Sequence, residues 1–127
     1  MARVLIIDDD ELILKTHRAL LEDSGIEVLT ASDAIHADTI LDTMTGSIDL
    51  ILLDVGLPLC PGDEIAKIYH TERRPTHPTM KIVLYSGMDE RELNERSIRS
   101  NADGYIVKGA PDLIGSVKRY LGRNGKS

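Results

Sequence analysis

Short apolar runs alternate along the chain with longer segments of helical period. Residues 4–7, 28–30, 50–53, 82–85 and 105–107 read as strands. The runs Val4-Leu5-Ile6-Ile7 and Leu50-Ile51-Leu52-Leu53 are apolar at every position. A strand with one wet face alternates polar and apolar residues, so unbroken apolarity means cover on both faces, as in a parallel sheet between helices. Between the runs, Leu14, His17 and Leu21 share one helical face, as do Ala34, Ala37, Leu41 and Met44. The same holds for Ile65, Ile68 and Tyr69, and finally for Leu113, Val117 and Leu121. Ser24-Gly25, Gly46-Ser47, the stretch from Arg74-Pro75 to Pro78, and Gly104 supply the breaks. The pattern predicts an α/β fold, a doubly wound (βα)5 open sheet with helices on both faces.

One helical segment departs from the rest. Over residues 90–99 only Leu93 and Ile98 are apolar, while Arg91 with Glu95, Glu92 with Arg96, and Glu95 with Arg99 stand at i,i+4. Such a helix is weakly anchored to the sheet. It reads first as a solvated face, and a loosely held helix is also what a conformational switch would use.

Composition narrows the picture. At 127 residues, 42% hydrophobic and 28% charged, the chain is the size and make-up of one globular domain, able to bury a core without disulfide or metal staples. That core is aliphatic, because Phe and Trp are absent and only four Tyr occur. We expect the domain to span residues 1–121, with 122–127 as a tail or the start of a linker. The formal net charge of −6 argues against a nucleic-acid or anionic-membrane binder acting through bulk charge. The charge is unevenly spread: residues 1–64 carry 14 acids and 3 bases, residues 65–127 carry 7 acids and 12 bases. A lone Cys60 suits a reducing compartment, the first apolar run is too short for a signal peptide, and no stretch approaches the ~20 apolar residues of a membrane span. A cytoplasmic, soluble protein is expected, without room for an output domain if the chain ends at Ser127.

In open α/β sheets the working groups gather at the carboxyl ends of the strands. Those ends lead to Asp8, Asp9 and Asp10, to Asp54, to Ser86-Gly87, and to Lys108. Two carboxylates ~5 Å apart repel by about 3 kcal/mol at an effective dielectric near 20, so such a cluster calls for a cation. Mg²⁺, with its preference for hard oxygen ligands and phosphoryl partners, answers that need. Lys108 adds a fixed positive charge and Ser86 a hydrogen-bond donor, as neutralising a transferring phosphoryl group requires. Asp54, at the end of the most buried strand, is the candidate nucleophile, and the small Gly56 leaves its own carbonyl free to approach a metal.

Four segments then fall into one order. Val4-Leu5-Ile6-Ile7-Asp8-Asp9; Asp49-Leu50-Ile51-Leu52-Leu53-Asp54 followed by Pro58 and Gly62; Ile82-Val83-Leu84-Tyr85-Ser86-Gly87; and Ala102-Asp103-Gly104-Tyr105-Ile106-Val107-Lys108 together resemble the receiver domain of two-component response regulators, including its single-domain, chemotaxis-type members. The resemblance covers about residues 3–121. It implies a flavodoxin-like sheet of order 2-1-3-4-5 that accepts a phosphoryl group from a histidine kinase or a histidine phosphotransfer protein. It makes Asp54 the phosphoacceptor, with Asp8, Asp9, Asp54 and the Gly56 carbonyl holding Mg²⁺ and Asp8 acting partly through water. It has Ser86 move onto the phosphoryl group, Lys108 pair with it, and Tyr105 turn inward as Ser86 shifts. The face of the fourth helix, fifth strand and fifth helix would then bind a downstream protein, with neither direct nucleic-acid nor membrane binding. On this reading the chain is a switch whose only chemistry is on itself, with slow autodephosphorylation.

The chain departs from the resemblance at three places. The family usually follows the lysine with a cis-linked Pro, where this chain has Lys108-Gly109; a cis bond to a non-proline costs ~2.5 to 4 kcal/mol, so the loop is trans or strained. Ser86 replaces the commoner Thr, and Gly87 opens the site. Three consecutive aspartates leave some play in the register at the first strand, but Asp8 directly succeeds the apolar run, so the pair Asp8 and Asp9 fits best, with Asp10 in the slot where the family often has another acid. Singly, each aspartate reads equally well as a helix cap or turn residue, Lys108 as a surface lysine and Tyr105 as strand filling. His17 reads as a partly buried, satisfied histidine, and Cys60 as a plain loop thiol. Lys67, Arg73, Arg74, Lys81, Lys118, Arg119 and Arg123 read as solvated charges that could also steer an acidic partner. Two other functions use the same residue types: a haloacid-dehalogenase-type phosphatase, whose second acidic motif and cap are missing here, and an unphosphorylated adaptor of receiver fold.

Overall fold

The computed structural model describes residues 1–122. Its elements alternate strictly: β1 (Arg3–Ile7), α1 (Glu11–Glu22), β2 (Glu27–Ala31), α2 (Ala34–Thr43), β3 (Leu50–Asp54), α3 (Gly62–Glu72), β4 (Lys81–Ser86), α4 (Glu90–Arg99), β5 (Gly104–Val107) and α5 (Leu113–Gly122). All neighbouring strands pair in parallel, in the order β2-β1-β3-β4-β5. The last helix ends one residue beyond the expected boundary at 121, and the rest of the expected tail, residues 123–127 with Arg123, lies outside the described residues.

The unbroken apolar runs are what make two layers possible. Successive side chains on a strand point to opposite faces. Leu5, Ile7, Ile51, Leu53, Ile82 and Leu84 therefore face one way, against Ala37 and Leu41 of α2, Ile65, Ala66 and Tyr69 of α3, and Leu93 of α4. Their neighbours Val4, Ile6, Leu50, Leu52, Val83 and Tyr85 face the other way, against Leu14 and Leu21 of α1 and Leu113 and Val117 of α5. With β1 and β3 buried on both sides, a shift of either strand by one residue would swap every side chain between layers, so the register is tightly fixed.

Helix starts are set by aspartates. Asp10 accepts from the Leu12 and Ile13 amides to open α1, Asp33 from the His36 amide to open α2, and Asp89 from the Glu92 amide to open α4. Each such cap is worth about 1 kcal/mol. Helix α3 has Pro61 at its cap and no side-chain cap. It starts instead by pressing Gly62 against the backbone just after Asp54, with the Gly62 amide donating to the Val55 carbonyl at 3.0 Å. A Cβ on Gly62 would run into the carbonyl of Asp54.

Two sequence expectations need correction. Ile68, placed on the buried face of α3, is 49% exposed; Ile65, Ala66 and Tyr69 complete the contact and leave it on the flank. In α4, Ile98 is exposed and only Leu93 and Ser97 are buried. Of the i,i+4 pairs expected there, Glu92–Arg96 closes at 2.9 Å and is the only one formed among the described residues.

Candidate functional site

The strand ends deliver their polar residues to one edge. The last apolar residue of β1 is followed by Asp8 and Asp9, β3 ends in Asp54, β4 ends in Ser86, and β5 leads into Lys108. Asp8, Asp54 and Ser86 are buried, whereas Asp9 is exposed. Carboxylate oxygens of Asp8, Asp9 and Asp54 all lie within 4.8 Å of one another. Asp10 stands apart as the cap of α1, which settles the register: Asp8 and Asp9 join the cluster, and the Asp10 amide donates to Asp8 Oδ1 at 2.9 Å.

Lys108 bridges the two buried carboxylates of the cluster. Its Nζ lies 2.7 Å from Asp8 Oδ2 and 3.2 Å from Asp54 Oδ1. Asp54 also accepts from the Gly56 amide at 3.2 Å, so Gly56 is folded back over the carboxylate. Burial raises the Asp54 pKa above the ordinary carboxylate value, and Asp8 adds to this, while Lys108 pulls the other way. Burial also opposes the charge on Lys108, but the carboxylates of Asp8 and Asp54 outweigh it and hold the ammonium above the ordinary lysine value. The site is therefore short of positive charge, and its three carboxylates suit a hard divalent cation.

Around this centre sit the residues expected to respond to it. The Ser86 hydroxyl accepts from the Met88 amide at 3.1 Å, and the Ser86 carbonyl accepts from the Lys108 amide at 2.8 Å, tying the β4 and β5 ends together. The Tyr105 hydroxyl donates to Glu90 Oε2 at 2.9 Å, at the surface of the groove between α4 and α5. That hydrogen bond is the main reason the Tyr105 phenol is held above its usual pKa. The Tyr105 main chain is clasped by Tyr120 of α5, whose hydroxyl accepts from its amide and donates to its carbonyl.

The Lys108–Gly109 peptide is trans, and Gly109 has φ +84°. Proline, whose ring fixes φ near −65°, could not take this turn. The loop after Lys108 is thus built for glycine. Other expectations resolve structurally as well. Arg73 forks onto Asp38 and Asp42 of α2, and Arg74 pairs with Asp103, so these two cations brace the fold. Cys60 is a half-buried free thiol in the loop after Asp54.

Two residues that the sequence did not single out for the site stand beside it. Tyr85, fully within the α1–α5 layer, lies with its ring under Lys108, the ammonium 5.4 Å from the ring centroid. Its hydroxyl is 3.1 Å from both ring nitrogens of half-buried His17. A buried tyrosine needs a partner for its hydroxyl, and that requirement was the available signal.

This edge chemistry on a 2-1-3-4-5 sheet has close relatives. Residues 4–117 match the response regulator receiver domain family, and the chain belongs to that family. It is 32% identical over 113 residues to the alginate biosynthesis transcriptional regulatory protein AlgB of Pseudomonas syringae, covering 88% of this chain and 24% of that protein. Over 123 residues it is 31% identical to the polar-differentiation response regulator DivK of Brucella ovis, covering 94% of this chain and 95% of that one. The chain thus spans about a quarter of AlgB but nearly all of DivK. Among solved structures, a CheY-like response regulator receiver domain protein from Methanospirillum hungatei superposes with a TM-score of 0.81 at 32% identity, over 99% of this chain and 98% of that one. Receiver domains are signalling switches rather than classical enzymes. No helix among the described residues is long and apolar enough to cross a membrane.

Proposed function

We propose that this receiver domain is switched by phosphorylation of Asp54, with the phosphoryl group supplied by a histidine kinase or histidine phosphotransfer protein in the cytoplasm. The observation that carries the reading is the convergence of Asp8, Asp9, Asp54 and Lys108 on one point at the strand ends. A carboxylate oxygen of Asp54 attacks the phosphorus of a phosphohistidine. The P–O bond forms as the P–N bond breaks, and the imidazole nitrogen leaves with the electron pair and takes up a proton. The carboxylates of Asp8, Asp9 and Asp54 with the Gly56 carbonyl would hold Mg²⁺, which supplies neutralising charge for the phosphoryl oxygens when bound. Lys108 offers its ammonium to the same oxygens.

The switch follows from the contacts around the site. The Ser86 hydroxyl leaves the Met88 amide to donate to a phosphoryl oxygen. Tyr105 then gives up Glu90 and turns toward the space Ser86 vacates. The groove lined by Glu90, Tyr105, Val107, Arg119 and Tyr120 changes shape, and with it the α4–β5–α5 face offered to a downstream protein. Water later attacks the phosphorus, the P–O bond to Asp54 breaks, and inorganic phosphate leaves as the free carboxylate is restored.

Incubation of the chain with a labelled small-molecule donor such as acetyl phosphate tests this. Label is expected only with Mg²⁺ and is lost in Asp54→Asn. Label kept by Asp54→Asn and lost by Asp8→Asn would indicate a dehalogenase-type nucleophile, and no Mg²⁺-dependent label at all would leave an adaptor of receiver fold.

A further inference from the structure

We propose that Tyr85, held by His17, is a positioning residue for Lys108. Lys108 has two kinds of support. One is charged: Asp8 at 2.7 Å and Asp54 at 3.2 Å. The other is neutral: the Tyr85 ring, 5.4 Å below the ammonium, within the range of a cation–π contact. The charged support is present only while the carboxylates are free. A divalent cation among Asp8, Asp9 and Asp54, or a phosphoryl group on Asp54, changes the field that draws Lys108 inward. The ring does not change with the charge of the site, so it keeps the ammonium above the nucleophile when the carboxylates are occupied.

The ring is itself well fixed. Tyr85 is 2% exposed and pairs across the ladder with Asp54, so the nucleophile and the floor under Lys108 are neighbours in adjacent strands. At its far end the hydroxyl meets His17 of α1, whose ring crosses it edge to face at 5.4 Å and 61°. Burial, with the nearby Lys108, favours the neutral imidazole, which can accept the phenol proton in a hydrogen bond. Helix α1 thereby reaches through His17 and Tyr85 to the lysine that begins the loop after β5.

The inference rests on the phosphorylation reading for its kinetic consequence, and the experiment separates the two. Ring currents from Tyr85 are expected to shift the Lys108 side-chain resonances in the unmodified protein, and Tyr85→Leu should remove that shift while Tyr85→Phe keeps it. With acetyl phosphate and saturating Mg²⁺, Tyr85→Leu should phosphorylate about tenfold more slowly, with Mg²⁺ affinity within about twofold of the parent, because the carboxylates are untouched. Tyr85→Phe and His17→Leu, which break the same link, should each slow the reaction about twofold, and the double variant no further. His17→Gln, which can still bond the phenol, should restore the parent rate. Unshifted Lys108 resonances in the parent protein, or a folded Tyr85→Leu variant with the parent rate, would overturn the proposal. If Tyr85→Leu does not fold, additive effects or none in Tyr85→Phe and His17→Leu overturn it instead. Absence of label on Asp54 in the parent protein would refute phosphorylation itself, leaving the resonance measurement to decide the position of Lys108.

Discussion

Helices α3 and α4 lie on the same side of the sheet, yet they are held by opposite means. Helix α3 buries Gly62, Ile65, Ala66 and Tyr69, and its first residue abuts the main chain after Asp54. Helix α4 buries one apolar side chain, Leu93, with Ser97 beside it. The remainder of its hold is polar: Arg96 to Asp63 at 3.4 Å and Glu90 to Tyr105 at 2.9 Å. Apolar burial resists any displacement, because each lost contact exposes surface to water. Polar contacts at the surface can be exchanged for water or for another partner at small cost. One side of the site is thus a fixed wall, and the other is free to be re-sited by a modest change in free energy.

The largest expected effect falls on the wall. Ile65→Ala should lower global stability by about 3 kcal/mol, read from urea unfolding, since a fully packed isoleucine is removed. Leu93→Ala should cost less globally but loosen α4 on its own, with its amides exchanging at least about tenfold faster while those of β4 are unchanged. Equal protection of α3 and α4 in the parent protein would break the comparison outright.

A divalent cation should stabilise the wall side only. At ten times its dissociation constant Mg²⁺ should add about 1.4 kcal/mol to the unfolding free energy, with the gain absent in Asp9→Asn. Hydrogen exchange within α4 should stay as it was. Arg96→Ala should cost about 0.5 kcal/mol or less, because both its partners are reached at a partly exposed surface, and it should show chiefly as faster exchange in α4.

Acid should act gradually. His17 and His77 are both held below the ordinary value of 6.5 by burial. The unfolded chain therefore binds protons first as pH falls. Stability should be level above pH 6.5, decline as pH drops through it, and level off again for these groups once their folded pKa values are passed. Urea midpoints from pH 8 to pH 5 will show whether this holds, and replacing His77 by Gln should flatten part of the slope.

Much of the fold and the core of the site could be read in the sequence, for a physical reason. Burial on both faces writes itself as an unbroken apolar run, and the residue that ends each run is delivered to the same edge. Asp8, Asp54, Ser86 and Lys108 were therefore locatable without coordinates. Three features were not. The assignment of Asp10 to the α1 cap depends on which carboxylate faces the Leu12 amide, which spacing alone leaves open among three consecutive aspartates. Ile68 carried the right period for burial but lost its place to Ala66, whose small side chain lets α3 lie close to the sheet. Tyr85 stood in the sequence only as one residue of the fourth strand run, because its meaning lies in a contact with His17, 68 positions earlier in the chain.

The close fit at Gly62 carries over into the range of sequences this fold can accept. A methyl group there would have to displace either the start of α3 or the carbonyl of Asp54. Drift at position 62 is therefore closed off by a residue it never touches through a side chain. Three positions earlier, Leu59 is fully exposed at φ +72°, a conformation that glycine or asparagine adopts more readily. The first residue of α3 and a position in the loop before it thus differ sharply in mutational freedom: one constrained by the main chain it presses against, the other open to variation that would relieve the backbone.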